Sequence, residues 1–316
     1  MGISGVADAS DPSNAYYNPS NISFINGIYL SGFYSQLVPD LASDVYTGSL
    51  GISGGTRIKL GESLELGLGG SLRYQKLDYG EWTVAGITPE ELGTASSSEY
   101  TLSYSLACGL IINEVFSAGI GLSVKPTKLN LAPAWGTLEG VANESDEVAL
   151  DFGILMQAAF PIAEGYTLTG SIGTSFLNNG NDFTFTSSYQ TIPMPSAVRY
   201  GAGVRLESPR MDDYDDWFGP IITLAGNFDI LDHTEEGSEE RSDESNYGIE
   251  VAILQLIFLR TGYWEYESGN ISGSTFGLGF GLEYRNFTGR IDYARVPQAA
   301  ELAKTNKLGI IIGMKF

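Results

Sequence analysis

Over residues 307–316, Leu308, Ile310, Ile312, Met314 and Phe316 fall at every second position. Lys307, Gly309, Gly313 and Lys315 lie between them, with Ile311 the single intruder. Successive side chains of a strand point to opposite faces, so this spacing predicts a strand with one apolar face and one small or polar face. The pattern returns along the chain. In 62–77, Leu64, Leu66, Leu68, Leu72 and Tyr74 oppose Glu65, Gly67, Gly69, Ser71, Arg73 and Gln75. In 98–112, Tyr100, Leu102, Tyr104, Leu106, Leu110 and Ile112 oppose Thr101, Ser103, Ser105, Ala107 and Gly109. In 272–284, Phe276, Leu278, Phe280, Leu282 and Tyr284 oppose Gly277, Gly279, Gly281 and Glu283. A soluble sandwich also alternates, but its outward face would carry Lys, Glu and Thr rather than small residues.

Fourteen such strands are expected, at 26–37, 45–58, 62–77, 98–112, 115–130, 147–160, 165–177, 196–206, 218–229, 246–254, 256–266, 272–284, 287–296 and 306–316. Their connections alternate short and long: 59–61, 113–114 and 161–164 against 78–97, 132–146 and 178–195. Short periplasmic turns and long outer loops are the rhythm of a transmembrane β-barrel, with 207–217 the one connection too long for its side. The expected fold is therefore an all-β, fourteen-stranded antiparallel transmembrane barrel over 26–316. A short segment, 1–25, precedes it.

Composition supports the class. The chain of 316 residues carries 40 Gly and 33 Tyr plus Phe, with charged residues only 17%. No apolar run approaches the ~18 residues of a membrane helix, so a membrane would be crossed by strands. Met1-Gly2-Ile3 leads straight into polar sequence, as expected of a mature exported chain with an added start Met. The net charge of −21 argues against nucleic acid, which needs a basic face. Eight acids crowd 229–244 and four more lie in 212–216, where solvated loops are expected. Neither run has the spacing of a calcium loop, so no metal or other cofactor is expected. His233, the only histidine, falls in the first acidic run and has no partner for a nucleophilic relay, so no catalytic residue is assigned and no enzyme is expected. The glycines of Gly67-Leu68-Gly69-Gly70 lie inside a strand with no helix after it and read as lumenal space and strand curvature, not a phosphate loop. Cys108 stands alone.

By parity Arg199, Arg205, Glu250, Arg260, Glu283, Arg290 and Asp292 should point into the lumen as a charged network. Neighbouring strands would pair Glu250 with Arg260, and Glu283 with Arg290 or Asp292. Such a set either stiffens the wall and holds a plug or selects solutes. Ahead of the strands, Asn18, Pro19 and Ser20 should form a fixed turn, since Pro19 presets its own φ and pushes Asn18 to an extended conformation. Tyr16 and Tyr17 would pack this turn against the glycine-lined wall at the periplasmic mouth, as a plug.

Asp11-Pro12-Ser13-Asn14-Ala15-Tyr16-Tyr17-Asn18-Pro19-Ser20 resembles the N-terminal "Asp-x-Ser-x-x-Tyr-x-Asn-Pro-Ala" segment of PorV/PorQ and FadL-type barrels, with Ser20 in place of Ala. Gly248-Ile249-Glu250-Val251 and the run from Leu256 to Tyr263 are similar to the same barrels' "Gly-x-Glu-Tyr … Leu-x-Leu-Arg-x-Gly-Tyr" hairpin. Phe276 to Phe280 and Ile291 to Ala294 continue the likeness in order. The resemblance implies a fourteen-stranded outer-membrane barrel of a Gram-negative cell. The brief N-terminal segment and the lack of a large apolar outer loop favour the PorV/PorQ branch, which acts in type IX secretion or cargo binding. The alternative is the FadL branch, which takes up hydrophobic small molecules. Expected partners are outer-membrane lipid and lipopolysaccharide, together with secreted cargo or secretion-system proteins, around a monomeric barrel.

Overall fold

The computed structural model describes residues 4–85, 91–131, 144–185, 190–211, 218–233, 242–299 and 302–316. Two short 3-10 helices, η1 (Pro12–Tyr16) and η2 (Pro19–Phe24), come first. The strands follow as β1 (Gly27–Val38), β2 (Ala42–Lys59), β3 (Leu64–Ala85), β4 (Glu91–Ile112), β5 (Phe116–Asn130), β6 (Glu144–Ala163), β7 (Tyr166–Asn179), β8 (Phe183–Phe185) and β9 (Gln190–Ile192). The series ends with β10 (Ala197–Glu207), β11 (Ile222–His233), β12 (Glu244–Ile253), β13 (Ile257–Tyr266), β14 (Ile271–Tyr284), β15 (Phe287–Val296) and β16 (Thr305–Lys315). All but β8 and β9 join in one closed antiparallel barrel of fourteen strands, with β7 beside β10 and β16 closing on β1. Gly27 faces Lys315 and Ser35 faces Lys307 across the closing seam. Each wall strand has a hydrogen-bonded neighbour on both sides, which is what a lipid environment without water demands.

Side-chain parity sets the two faces. Leu106 is 74% exposed, Leu50 65% and Ile291 61%, all on the outer surface. Ser53, Ser105 and Ser123 are buried on the inner one, where Ser105 and Ser123 share a hydrogen bond of 2.7 Å. An edge-free barrel wrapped in an apolar band is a bacterial outer-membrane β-barrel. At one end, taken as periplasmic, every strand connection but β10–β11 is tight, whereas the long connections 131–143, 180–196 and 234–243 share the other end. Among the tight ones Asn113 and Glu114 adopt left-handed φ of 53° and 57°, the two-residue turn whose twist suits a hairpin.

Four departures from the sequence reading have physical reasons. β3 and β4 stay paired from Leu64–Ile112 up to Val84–Gly93, with a bulge after Asp78, so much of 78–97 is a ribbon and not a loop. Beyond the membrane a ladder persists on backbone bonds alone and needs no apolar face to announce it. β8 and β9 form a hairpin inside 178–195, where Phe183 and Phe185 pack on Leu129, Ala149 and Met194. β11 starts at Ile222 rather than 218, because Pro220 has no N–H to give a ladder. At its other end it stays paired with β10 as far as Ala197–His233, which takes Asp229 and His233 out of the expected acidic loop. The His233 ring accepts or donates at 3.1 Å to Glu244 and leans on Tyr266, so it is not a solvated loop side chain. The run 212–216 lies outside the described residues.

Candidate functional site

The N-terminal segment is built from three local turns of one kind. The side-chain oxygens of Asp8, Asp11 and Asn18 each accept from the backbone N–H two residues on, at 3.0, 2.8 and 3.0 Å. The residue two on is Ser10, Ser13 and Ser20, whose hydroxyl bonds the same oxygen. Asn18 is extended at φ −154°, ψ 111°, and caps η2 with Pro19 in its first turn, as Asp11 caps η1 ahead of Pro12. Short polar residues that bond their own backbone favour such caps, and proline suits the first helical position. The segment is thus ordered largely by itself.

It lies inside the lumen, deeper than the periplasmic mouth. Asn18, Ser20 and Ser23 are fully buried, with Pro19 and Ile22 beside them. The Asn18 amide donates to Val6 O at 2.9 Å and to Ile154 O of β6 at 3.0 Å, and Ser175 of β7 donates to Tyr17 O at 2.7 Å. Wall glycines permit this approach. A Cβ on Gly153 would overlap the Asn18 carboxamide and come within 2.9 Å of Pro19. Gly67 and Gly69 likewise lie under Ser23 and Ile22. These inner glycines are therefore not open lumenal space, as their position in a strand suggested: they are contact points for the segment.

Charged wall side chains hold the segment at several points. Asp229 of β11, fully buried, accepts Gly5 N–H at 2.7 Å and Val6 N–H at 3.1 Å on one oxygen and lies 3.4 Å from Arg199. Arg73 donates to Ser13 O at 3.1 Å and Arg57 to Phe24 O at 3.2 Å. Arg205 lies 3.6 Å from Asp8 and also bonds Ser10. Arg290 grips Asp11 and, at 2.7 Å, Asp292. Tyr16 and Tyr17 do not pack on the glycine wall as expected. They meet edge to face at 5.2 Å, with Arg73 5.6 Å over the first ring and Arg199 4.8 Å over the second. Guanidinium groups on aromatic faces outweigh contact with bare glycine. Val6, Asn18, Pro19 and Ile22 take the wall instead. Burial raises the Asp11 carboxyl, yet the Arg290 charge and the Ser13 hydrogen bonds outweigh it and hold Asp11 well below the usual carboxylate range. Burial pushes the Tyr17 phenol up to about 12, partly offset by Arg199.

All seven charges assigned to the lumen line one cavity of about 730 Å³. Arg260 bonds Glu250 at 2.6 Å and also pairs with Asp292. Glu283 pairs with Lys315, not with Arg290 or Asp292. The register explains this: Arg290 stands opposite Gly281 and is already taken by Asp292 and Asp11, whereas Glu283 stands opposite Thr288, nearer the short turns and β16. Gly279 of β14 leaves room for the network, since a Cβ there would lie 3.1 Å from Phe258 and overlap Asp292. Asp229, the central anchor, was missed because, as the last residue of its expected strand, it was counted with the acidic loop that follows. Its phase was legible, with Phe228 outward and Asn227 and Leu231 inward. Among the described residues no group of His, Cys, Asp and Glu could hold a metal ion.

No family description matches the sequence, and no curated protein is recognisably similar to it. Solved structures share the fold. The toluene transporter TbuX of Ralstonia pickettii matches with TM-score 0.56 at 12% identity, over 100% of this chain and 96% of that one. The toluene transporter TodX of P. putida matches with TM-score 0.53 at 11% identity, over 100% and 99%. The β domain of the Bordetella autotransporter BrkA gives TM-score 0.51 at 10% identity, over 92% and 99%. In fold the chain is thus a closed antiparallel outer-membrane β-barrel, shared with two transporters and an autotransporter domain alike.

Proposed function

We propose that the protein is an outer-membrane conduit for small hydrophobic molecules, gated by residues 4–25 acting as a lumenal hatch. The observation that carries this reading is the buried segment itself, ordered by its own turns and held against the wall by Asp229, Arg73 and Arg290 beside a cavity of about 730 Å³. Tyr16, Phe33, Phe258 and Trp264 give that cavity aromatic surface for an apolar solute. The fold likeness to two toluene transporters supports the solute class. Bound apolar solutes need no covalent chemistry from the wall, and no enzymatic role is proposed.

A role in type IX secretion is the second reading, supported by the likeness of Asp11 to Ser20 and of the Gly248 to Tyr263 hairpin to PorV/PorQ barrels. Uptake of labelled toluene by cells separates the two. Cells carrying the protein should take it up faster than cells without it, because the lipopolysaccharide leaflet is the barrier. Equal uptake, together with a secreted protein co-purifying from native membranes, would replace the conduit by the secretion reading.

A further inference from the structure

We propose that a polar passage runs the height of the barrel beside the hatch and conducts small anions while the hatch stays in place. The passage is the same cavity that the solute reading uses, taken here for its polar lining, and its test reads ion conductance rather than uptake of an apolar solute.

The body of the hatch lies toward one side, and η1 reaches across to the other at Asp11, which Arg290 of β15 holds. η2 packs on β2 to β6, and Gly5 and Val6 reach β11. The side from β12 round to β1 faces the cavity. Gln255, Glu283 and Lys315 line it at the short-turn end; Glu244, Trp264 and Val296 line it at the long-loop end. One cavity therefore reaches from end to end. Spread over a hydrocarbon core of about 30 Å, its 730 Å³ gives a mean section on the order of 25 Å², suited to water and small ions.

The charge is selective. Among the described residues, eight Lys and Arg line this cavity against seven acids, so pairing rather than number decides the local sign. Arg260, Arg290 and Lys315 have carboxylate partners. Arg73 is held by a carbonyl and a tyrosine ring, neither of which cancels its charge. Lys307 points inward from β16 and has no hydrogen-bond or ion-pair partner among the described residues. Asp292, the carboxylate nearest to it along β15, is already bonded to Arg260 and Arg290. Fixed, uncancelled positive charge in a narrow low-dielectric lumen concentrates anions. It does so here in a protein whose overall charge would repel them.

The test is conductance of the full chain in planar lipid bilayers under a potassium chloride gradient. Steady ohmic conductance should appear, with chloride favoured over potassium by roughly two- to tenfold. Lys307→Glu should bring the ratio to unity or below, and Lys307→Gln should give an intermediate value. The glutamine variant carries the test if the glutamate variant fails to shift on heating in gels as a folded barrel does. A hatch lock completes it. A Cβ on Gly109 would lie 3.1 Å from the Ser23 Cβ, a few tenths of an ångström inside the roughly 3.5–4.5 Å span of a disulfide, so the two backbones must part slightly to admit one. In a Cys108→Ser background, Ser23→Cys with Gly109→Cys should conduct equally when oxidised and reduced. Absence of conductance above bare lipid, cation preference in the native chain, or loss of conductance on oxidation would each overturn the proposal.

Discussion

Asp229→Leu should unseat the front of the hatch while leaving the barrel closed. One oxygen of Asp229 accepts both the Gly5 and Val6 amides, at 2.7 and 3.1 Å, in a fully buried setting. Leucine removes that acceptor and takes the carboxylate from Arg199, 3.4 Å away. Removing one partner of a buried charged group costs roughly 3–5 kcal/mol, with the two amides lost included in that range. The unseated population should then rise by roughly a hundredfold to several thousandfold. Asp229→Asn is the control. It can present its carbonyl oxygen to both amides and loses only the charge, about 1–2 kcal/mol. Hydrogen exchange at residues 5 and 6 and protease cleavage within 4–25 read the difference, and heat-dependent gel migration shows that the barrel remains. Unchanged protection in Asp229→Leu would refute the anchoring role. Equal loss in both variants would mean that charge, not the acceptor, holds the segment.

Leu106→Arg, on the lipid face at 74% exposure, should destabilise the barrel by roughly 2–4 kcal/mol, whereas Ser105→Arg, facing the lumen, should cost much less in urea-refolding titrations. The lowered Asp11 carboxyl makes its contribution fully present above its unfolded value of 3.8 and lost only as pH falls below it. The share of hatch protection that Asp11→Asn removes should accordingly stay flat from neutral pH to about 4 and decline in stronger acid; a share that begins to decline near pH 6 would contradict the pairing with Arg290. In a Cys108→Ser background, a membrane-impermeant thiol reagent added to cells should label Glu267→Cys and spare Asn113→Cys, and the reverse would invert the barrel.

The wall was legible because lipid outside and packed small residues inside impose one period on every strand. Leu64 to Tyr74 and Phe276 to Tyr284 follow it almost without error. Strand length beyond the membrane was not legible, since β3 and β4 continue on backbone pairing once the apolar face ends. The Asn18-Pro19-Ser20 turn was readable because it is local: an Asx side chain and a proline suffice to set it. Its placement was not. The inner glycines carry no sign of what approaches them, and only the fold brings Gly153 to Asn18 or Asp229 to Gly5. The same holds for Glu283, whose partner Lys315 depends on how β16 closes beside β15.

Toluene uptake with the hatch locked tests the gating claim most directly. Cells producing Ser23→Cys with Gly109→Cys, in the Cys108→Ser background, are compared after mild oxidation and after reduction. Uptake should fall to the level of cells lacking the protein on oxidation and return on reduction. Uptake that is equal in the two states, with the disulfide shown to have formed, would contradict a hatch-gated conduit.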